Sequence, residues 1–370
     1  MPVSYEPLNV NTDVTTTKTI LHEVIPLTGT IINSGTYSDE NIKNFTHGMF
    51  QSVYDYPFLS SSANHIFDIT CGYDESSALS SSTNTQNAKK INIYNQFSQV
   101  LLGYTGSNNV VRLFENDLKL DGTGSMKNVM VLSFSRLLTK DQIKKGTFSI
   151  ELGRGVVSNP HSHTITLQDI KANTTGDGTV NTIGGDYGVL FDTTASAITN
   201  DNSSSYGVVF YQAGIVVLSS SIWDTNAPTN QVGPANAAVG AYFNSGSNVS
   251  GSGPSPFSCS GSIASASISG TCDALRNRIT NLTYNNSTEI NSTIYFCRLP
   301  VNKFNYSSNP TYTSGSRIRV KNNASDLPVS YATTIGLYNA RNELLAIAKL
   351  SEPLKKTPQN ELTIRVRLDY

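Results

Sequence analysis

The chain has little charge. Lys, Arg, Asp and Glu together make up 14% of its 370 residues, against roughly a quarter in an ordinary globular protein. With 26 basic and 27 acidic residues the formal net charge is −1. No basic stripe stands out, so the electrostatic footprint of a nucleic-acid-binding surface is missing. Long apolar runs are missing too. No stretch approaches the roughly 20 apolar residues of a membrane-spanning helix, and no contact with a membrane is expected. Met1-Pro2-Val3-Ser4-Tyr5-Glu6 has neither the basic nor the apolar region of a signal peptide, which predicts a chain made in the cytoplasm and soluble there. Cysteine is sparse: Cys71, Cys259, Cys272 and Cys297 contain no Cys-x-x-Cys pair, which argues against a zinc site. Cys259 and Cys272 bracket a Ser/Ala/Gly-rich loop that leaves room for a disulfide without requiring one, and cytoplasmic chains keep thiols reduced. Cys71 and Cys297 read as single buried thiols.

Catalytic signatures are equally scarce. There is no Gly-x-Ser-x-Gly elbow. Gly184-Gly185 lacks the strand-then-helix setting of a phosphate loop. Carboxylates are scattered, and no pair is marked out for glycoside hydrolysis. His161-Ser162-His163, with Asp169 nearby, has two imidazoles on one face of an extended segment, as ligation requires, but no second half of a metal site accompanies them. Gly176-Asp177-Gly178 and Asp121-Gly122-Thr123-Gly124 look like fragments of calcium loops. Neither has the series of oxygen ligands ending in an acidic residue, and both read as turns. No catalytic, cofactor-binding or metal-ligating residue is assigned, no cofactor is expected, and the chain is not expected to be an enzyme.

Ser, Thr, Asn and Gly take the place of the missing charge, while 38% of residues remain hydrophobic, too many for a disordered polyelectrolyte. Residues 1–37 read as an extended arm. From Ser38, the spacing of Ile42, Phe45, Met49 and Val53 predicts a helix ended by Pro57. Residues 64–71 alternate as a strand. Lys89 to Tyr104 predicts a helix that gathers Ile91, Tyr94, Phe97, Val100, Leu101 and Tyr104 on one side, with Gly103 near its end. Met130–Phe134 predicts a buried strand. Thr139 to Gln142 has capping-box spacing for a short helix closed by Gly146, and Thr147–Leu152 alternates as a strand. Beyond Gly153 short apolar segments sit between turn clusters: His163–Leu167, Tyr187–Phe191, Tyr206–Tyr211 and Ile215–Leu218. The similarity of Asp186–Phe191 to Tyr206–Phe210 marks either a weak internal repeat or two neighbouring strands of one sheet. A helix capped by Asp273 and reaching Leu282 is expected next, then a strand over Thr293–Arg298.

The C-terminus is the most regular part. Thr333–Tyr338 and Leu344–Leu350 flank Asn339-Ala340-Arg341-Asn342, a hairpin signal. Glu361 to Tyr370 then alternates Leu362, Ile364, Val366 and Leu368 with Thr363, Arg365, Arg367 and Asp369, the pattern of a half-buried strand that needs a pairing partner. The fold class expected is mainly β with a mixed α/β N-terminal part: β-sandwich-like units, a few short helices and extended arms. The segments are 1–37, an N-terminal arm; 38–158, mixed α/β; 159–223, β-rich; 224–271, a Gly/Ser/Asn-rich excursion; and 272–370, a β-rich region with the terminal hairpin and strand.

Gly336-Leu337-Tyr338-Asn339 followed by Glu343-Leu344-Leu345-Ala346-Ile347-Ala348-Lys349-Leu350 resembles a hairpin that recurs in virion proteins of tailed bacteriophages, among them baseplate and tail-fibre attachment proteins. With Asn44–Pro57, Phe134–Gly146 and the final strand, the chain resembles virion structural proteins of T-even-type contractile-tailed phages, particularly those of marine cyanobacteria. The resemblance covers about a third of the chain. It implies a component of the virion, in the tail baseplate in particular, assembled in the host cytoplasm with other virion structural proteins as a homo- or hetero-oligomer. It brings no catalytic residues. Placement in the capsid, the neck or the fibre attachment is the alternative. From another class, a host-glycan-binding or depolymerase module on a β-sandwich would need exposed aromatics and a carboxylate pair in a cleft.

Overall fold

The computed structural model describes residues 5–26, 39–105, 110–153, 164–174, 178–193, 205–223, 263–264, 266–307 and 309–370. The chain is mainly β. In order, the elements are β1 (Val14–Pro26), β2 (Ile42–Asn44), β3 (Gln51–Tyr54), β4 (His65–Tyr73), α1 (Asn87–Leu101), β5 (Phe114–Glu115), β6 (Ser125–Met126), β7 (Asn128–Phe134), α2 (Arg136–Thr139), β8 (Gln142–Ile143), β9 (Ser149–Gly153) and β10 (Thr164–Gln168). There follow β11 (Val180–Thr182), β12 (Gly185–Asp192), β13 (Ser205–Phe210), β14 (Ile215–Ser219), α3 (Ile268–Arg276), β15 (Ile279–Leu299), β16 (Thr313–Ser314), β17 (Arg317–Ile318), β18 (Ser330–Tyr338), β19 (Leu344–Lys356) and β20 (Leu362–Asp369). Contacts divide the chain into two units, residues 21–288 and residues 1–20 with 289–370. β1 and β15 each run from one unit into the other.

The larger unit is built on one antiparallel sheet in the order β15-β9-β10-β12-β13-β14-β7-β4-β3-β2. Its central strands are buried on both faces, which is why their sequences are nearly continuous apolar runs rather than alternating ones. Met130, Leu132 and Phe134 of β7 join Val216 and Leu218 of β14 and Val209 next to β14, in a core that includes Cys272, Ala274 and Leu275 of α3 and the fully buried Trp223. Val129 and Val131, with Val217, Val208 and Phe210, belong to a second core with Tyr94 and Leu101 of α1 and with Phe114 and Met126 of the β5–β6 pair. α1 lies very close to β4: a Cβ on Gly72 would stand 2.6 Å from the Lys90 carbonyl oxygen and 2.9 Å from the Tyr94 nitrogen. Only glycine admits helix backbone at that distance.

The pairing of β12 with β13 places Tyr187 opposite Phe210 and Gly188 opposite Val209. The two similar segments are therefore neighbouring strands of one sheet. Gly214, at φ +66°, sits in the turn that joins β13 to β14.

Several expectations are corrected. Residues 42–54 form a hairpin, not a helix. Ile42 and Val53 are direct cross-strand partners, and Gly48, at φ +62°, lies in the connecting loop. The helical spacing of Ile42, Phe45, Met49 and Val53 was coincidental. Helix α1 is present, but its buried stripe is Lys90, Ile93, Tyr94, Ser98 and Leu101, with Val100 and Tyr104 exposed. Thr139 ends the single turn of α2 rather than starting a helix, and Gln142 belongs to a strand. Gly146, at φ +74°, serves a loop between strands. α3 begins earlier than expected, with Ser267 Oγ accepting from Gly270 N at 3.1 Å, and it ends at Arg276. Ile279 and Leu282 are strand residues of β15. Most of the 224–271 excursion lies outside the described residues.

The smaller unit has a sparse interior. Among the described residues its buried apolar side chains are Ile294, Tyr312, Val329, Ile364 and Val366. β20 pairs antiparallel with β15 from Ser292↔Asp369 to Leu299↔Leu362, so the terminal strand finds its partner within the chain. The predicted alternation holds: Ile364 and Val366 are buried, Arg365 and Arg367 exposed. Asp13 anchors the segment before β1. It accepts from Asn9 N at 3.0 Å and pairs with Arg298 Nε at 3.0 Å, and the bond from Asn9, followed by the Thr12 hydroxyl and Arg298, holds its carboxyl below the ordinary value.

Candidate assembly surface

β18 and β19 form a two-stranded sheet of their own, and the turn between them is built by side chains. Asn339 Oδ1 accepts from Arg341 N and Glu343 N, both at 2.9 Å. Asn339 Nδ2 donates to Glu343 Oε2 at 2.6 Å. Asn342 takes φ +63°, a left-handed conformation that asparagine tolerates. The register sets Leu337 opposite Ala346, Ile335 opposite Ala348 and Thr334 opposite Lys349.

The hairpin is apolar and open. Ile335, Leu337, Ala346, Ala348 and Leu350 are only half-buried. Leu345 and Ile347 are 69% and 63% exposed, and Tyr331, Tyr338 and Leu344 are exposed as well. Tyr338 and Leu344 fold over Gly336, where a Cβ would lie 2.8 Å from the Tyr338 ring. Tyr5 meets the Tyr338 ring edge-on at 5.0 Å. An isolated two-stranded hairpin is marginal in water, and a contiguous exposed apolar patch marks an interaction surface.

No protein-family model, no curated protein and no solved structure matches this chain. The surface must therefore be read from its own chemistry.

Among the described residues, those singled out from the sequence do not form one site. His161 and His163 lie outside the described residues, as do Cys259, Gly176 and Asp177. Asp169 is buried and faces backbone: its Oδ2 accepts from Gly146 N at 2.7 Å and from the Tyr211 hydroxyl at 2.9 Å, and its Oδ1 from Phe148 N at 2.9 Å. Asp121 closes a turn by accepting from Thr123 N at 2.9 Å. Cys71 and Cys272 are buried free thiols. Burial pushes Cys71 up to about 11 and Cys272 well above the usual thiol value, which keeps both protonated and unreactive. Cys272 donates to the Ile69 carbonyl at 3.3 Å. Among the described residues no group of three or more His, Cys, Asp and Glu is placed to hold a metal ion, and no helix is long and apolar enough to cross a membrane.

One buried polar group escaped the sequence reading, and so did the structural role of a second. Lys90 is fully buried and donates to the Ala264 and Ala266 carbonyls at 3.1 and 2.8 Å; burial lowers its pKa. Its position four residues before Tyr94, on the buried stripe of α1, was the available signal. The second is the Asp169 cluster, which continues to the surface. There Lys145 Nζ meets Asp186 Oδ2 at 2.5 Å and Asn181 Nδ2 meets Asp186 Oδ1 at 2.7 Å. The Lys145 bond, then the Asn181 bond, holds the Asp186 carboxyl below 3.8. A lowered folded-state pKa contributes stability above 3.8 and loses it as pH falls through the folded value. Asp186→Asn is therefore expected to cost about 1 kcal/mol at pH 7. The difference from wild type closes in strong acid, as urea unfolding at a series of pH values would measure.

Around the β2–β3 loop, Phe45 stacks on His47 at 5.2 Å and Phe50 leans on both rings, with Lys43 Nζ 4.9 Å from the Phe45 centroid.

Proposed function

We propose that this chain is a structural component of a tailed-phage virion, in the tail baseplate in particular, and that it acts by holding neighbouring subunits. The observation that carries this reading is the open apolar hairpin β18–β19, in a unit with a sparse interior of its own. Such a surface is stable in water when a neighbour covers it. The hairpin is also the segment whose residues resemble those of virion proteins. The low overall charge suits it, because interface centres are depleted of charge. The reading assigns no catalytic role.

The test is a reconstruction of purified particles combined with mass spectrometry of their components. Density for the chain at the distal tail supports the proposal. Density in the capsid lattice overturns the baseplate placement, and absence from particles overturns the virion reading. Tight, specific glycan binding by an isolated monomer would replace the scaffold reading with a receptor-binding one.

A further inference from the structure

We propose that the outer edge of β18 pairs with the same strand of a second copy, giving a closed two-fold dimer through a four-stranded sheet. This names the partner of the surface on which the assembly reading rests. Among the described residues no strand other than β19 pairs with β18, so its outer backbone groups are open to strand addition. Ser330 to Tyr338 contains no charged residue and no proline, two of the devices that protect natural edges; the irregularities of the hairpin register fall at Ala332/Thr334 and Leu337/Tyr338.

The other edge of the hairpin is different. β19 carries Lys349, Glu352, Pro353 and Lys355. Proline cannot donate to a ladder, and charges on an edge oppose pairing. One edge is open and the other blocked, so addition stops at two copies and closes as an isologous pair instead of growing into a filament.

The second copy is the partner that fits this edge. An uncharged strand meets itself without repulsion, and with a net charge of −1 per chain two copies approach with little long-range opposition. In an antiparallel pairing centred on Thr334, Tyr331 opposes Leu337 of the other copy and Thr333 opposes Ile335. These are aromatic–aliphatic and β-branched pairs of the kind that stabilise sheets. The result has four strands, beyond the two that are marginal alone.

The experiment is sedimentation of the full chain over a concentration series, with Thr334→Glu as the variant. In its own hairpin that position faces Lys349, so a glutamate there gains a favourable cross-strand neighbour. Across the two-fold axis it faces a second glutamate, and like charges directly opposite are unfavourable. Wild type is expected at about twice the 39.9 kDa chain mass. The variant is expected at the single-chain mass, with an unchanged far-UV circular dichroism spectrum. Amides of residues 331–337 should gain exchange protection with concentration in the wild type, a readout that does not depend on the variant's folding. A wild type that stays monomeric, grows past a dimer, or remains dimeric with Thr334→Glu overturns the pairing. A monomer still found in purified particles leaves the virion reading in place. A dimer absent from them leaves the pairing and removes the virion role.

Discussion

Replacing Asp169 with alanine should lower the unfolding free energy by about 3 kcal/mol or more, because each buried donor left without an acceptor costs roughly 1–3 kcal/mol. Three donors depend on this carboxylate: Gly146 N, Phe148 N and the Tyr211 hydroxyl. They come from the β8–β9 loop and the end of β13, so a single group ties three places together. Tyr211→Phe removes one of these bonds and should cost about 1 kcal/mol. The pH dependence separates this carboxylate from its neighbour. Burial, opposed by the bonds from Gly146 N, Tyr211 and Phe148 N, raises the Asp169 pKa above 3.8. For a raised pKa the contribution to stability is complete below the unfolded value and is lost as pH rises through the folded one. The penalty for Asp169→Ala should therefore be larger in acid than at pH 7, the reverse of the trend for Asp186→Asn. Chemical unfolding of wild type and both variants at matched pH would read the two signs. A penalty for Asp169→Ala below 1 kcal/mol at every pH would show that the three donors find other acceptors, and would sink this account of the knot.

Much of the fold was legible in the sequence where burial on both faces imposes itself on composition. β4, β7, β12, β13 and β14 are apolar runs bounded by turn residues, and the β18–β19 hairpin and β20 announce themselves by turn chemistry and by alternation. The failures share a cause. At 38–57 and 139–146 a local signal, helical spacing or a capping box, was overridden by pairing with distant strands. Ile42 meets Val53 across a hairpin, and Gln142 meets Ser287 on β15. The remaining sign was Gly48, whose positive φ a helix interior does not use. Asp169 was equally out of reach, because its partners lie 21 to 42 residues away and nothing in the surrounding residues names them. The exposed hairpin was half visible. The sequence identified the hairpin as a unit, but alternation alone does not reveal that one of its faces stays exposed and the other only half-covered, since that depends on what the rest of the chain leaves uncovered.

The sole tryptophan offers the second large effect. Trp223 is fully buried, in the short 3-10 turn Ser220–Trp223 that follows β14, and its indole Nε1–H donates to the Gly153 carbonyl at 3.0 Å. The same carbonyl accepts from Arg278 Nη1 at 2.9 Å, just ahead of β15. The ring thus occupies the core at a point where β9 and the approach to β15 are bonded to one oxygen. Trp223→Ala removes the largest buried side chain and should cost about 3–5 kcal/mol. Trp223→Phe refills much of the volume and leaves the Gly153 carbonyl its bond from Arg278, so about 1–2 kcal/mol is expected from the residual cavity and the lost indole bond. Far-UV circular dichroism in urea measures both variants. In the wild type, with one tryptophan in the chain, the red shift of indole emission follows the 21–288 unit alone. If the two units unfold separately, the circular dichroism transition extends outside the fluorescence transition, and Trp223→Ala moves only the part that coincides with it. A variant that shifts the whole transition uniformly would mean that the smaller unit does not hold its fold once the larger one is lost.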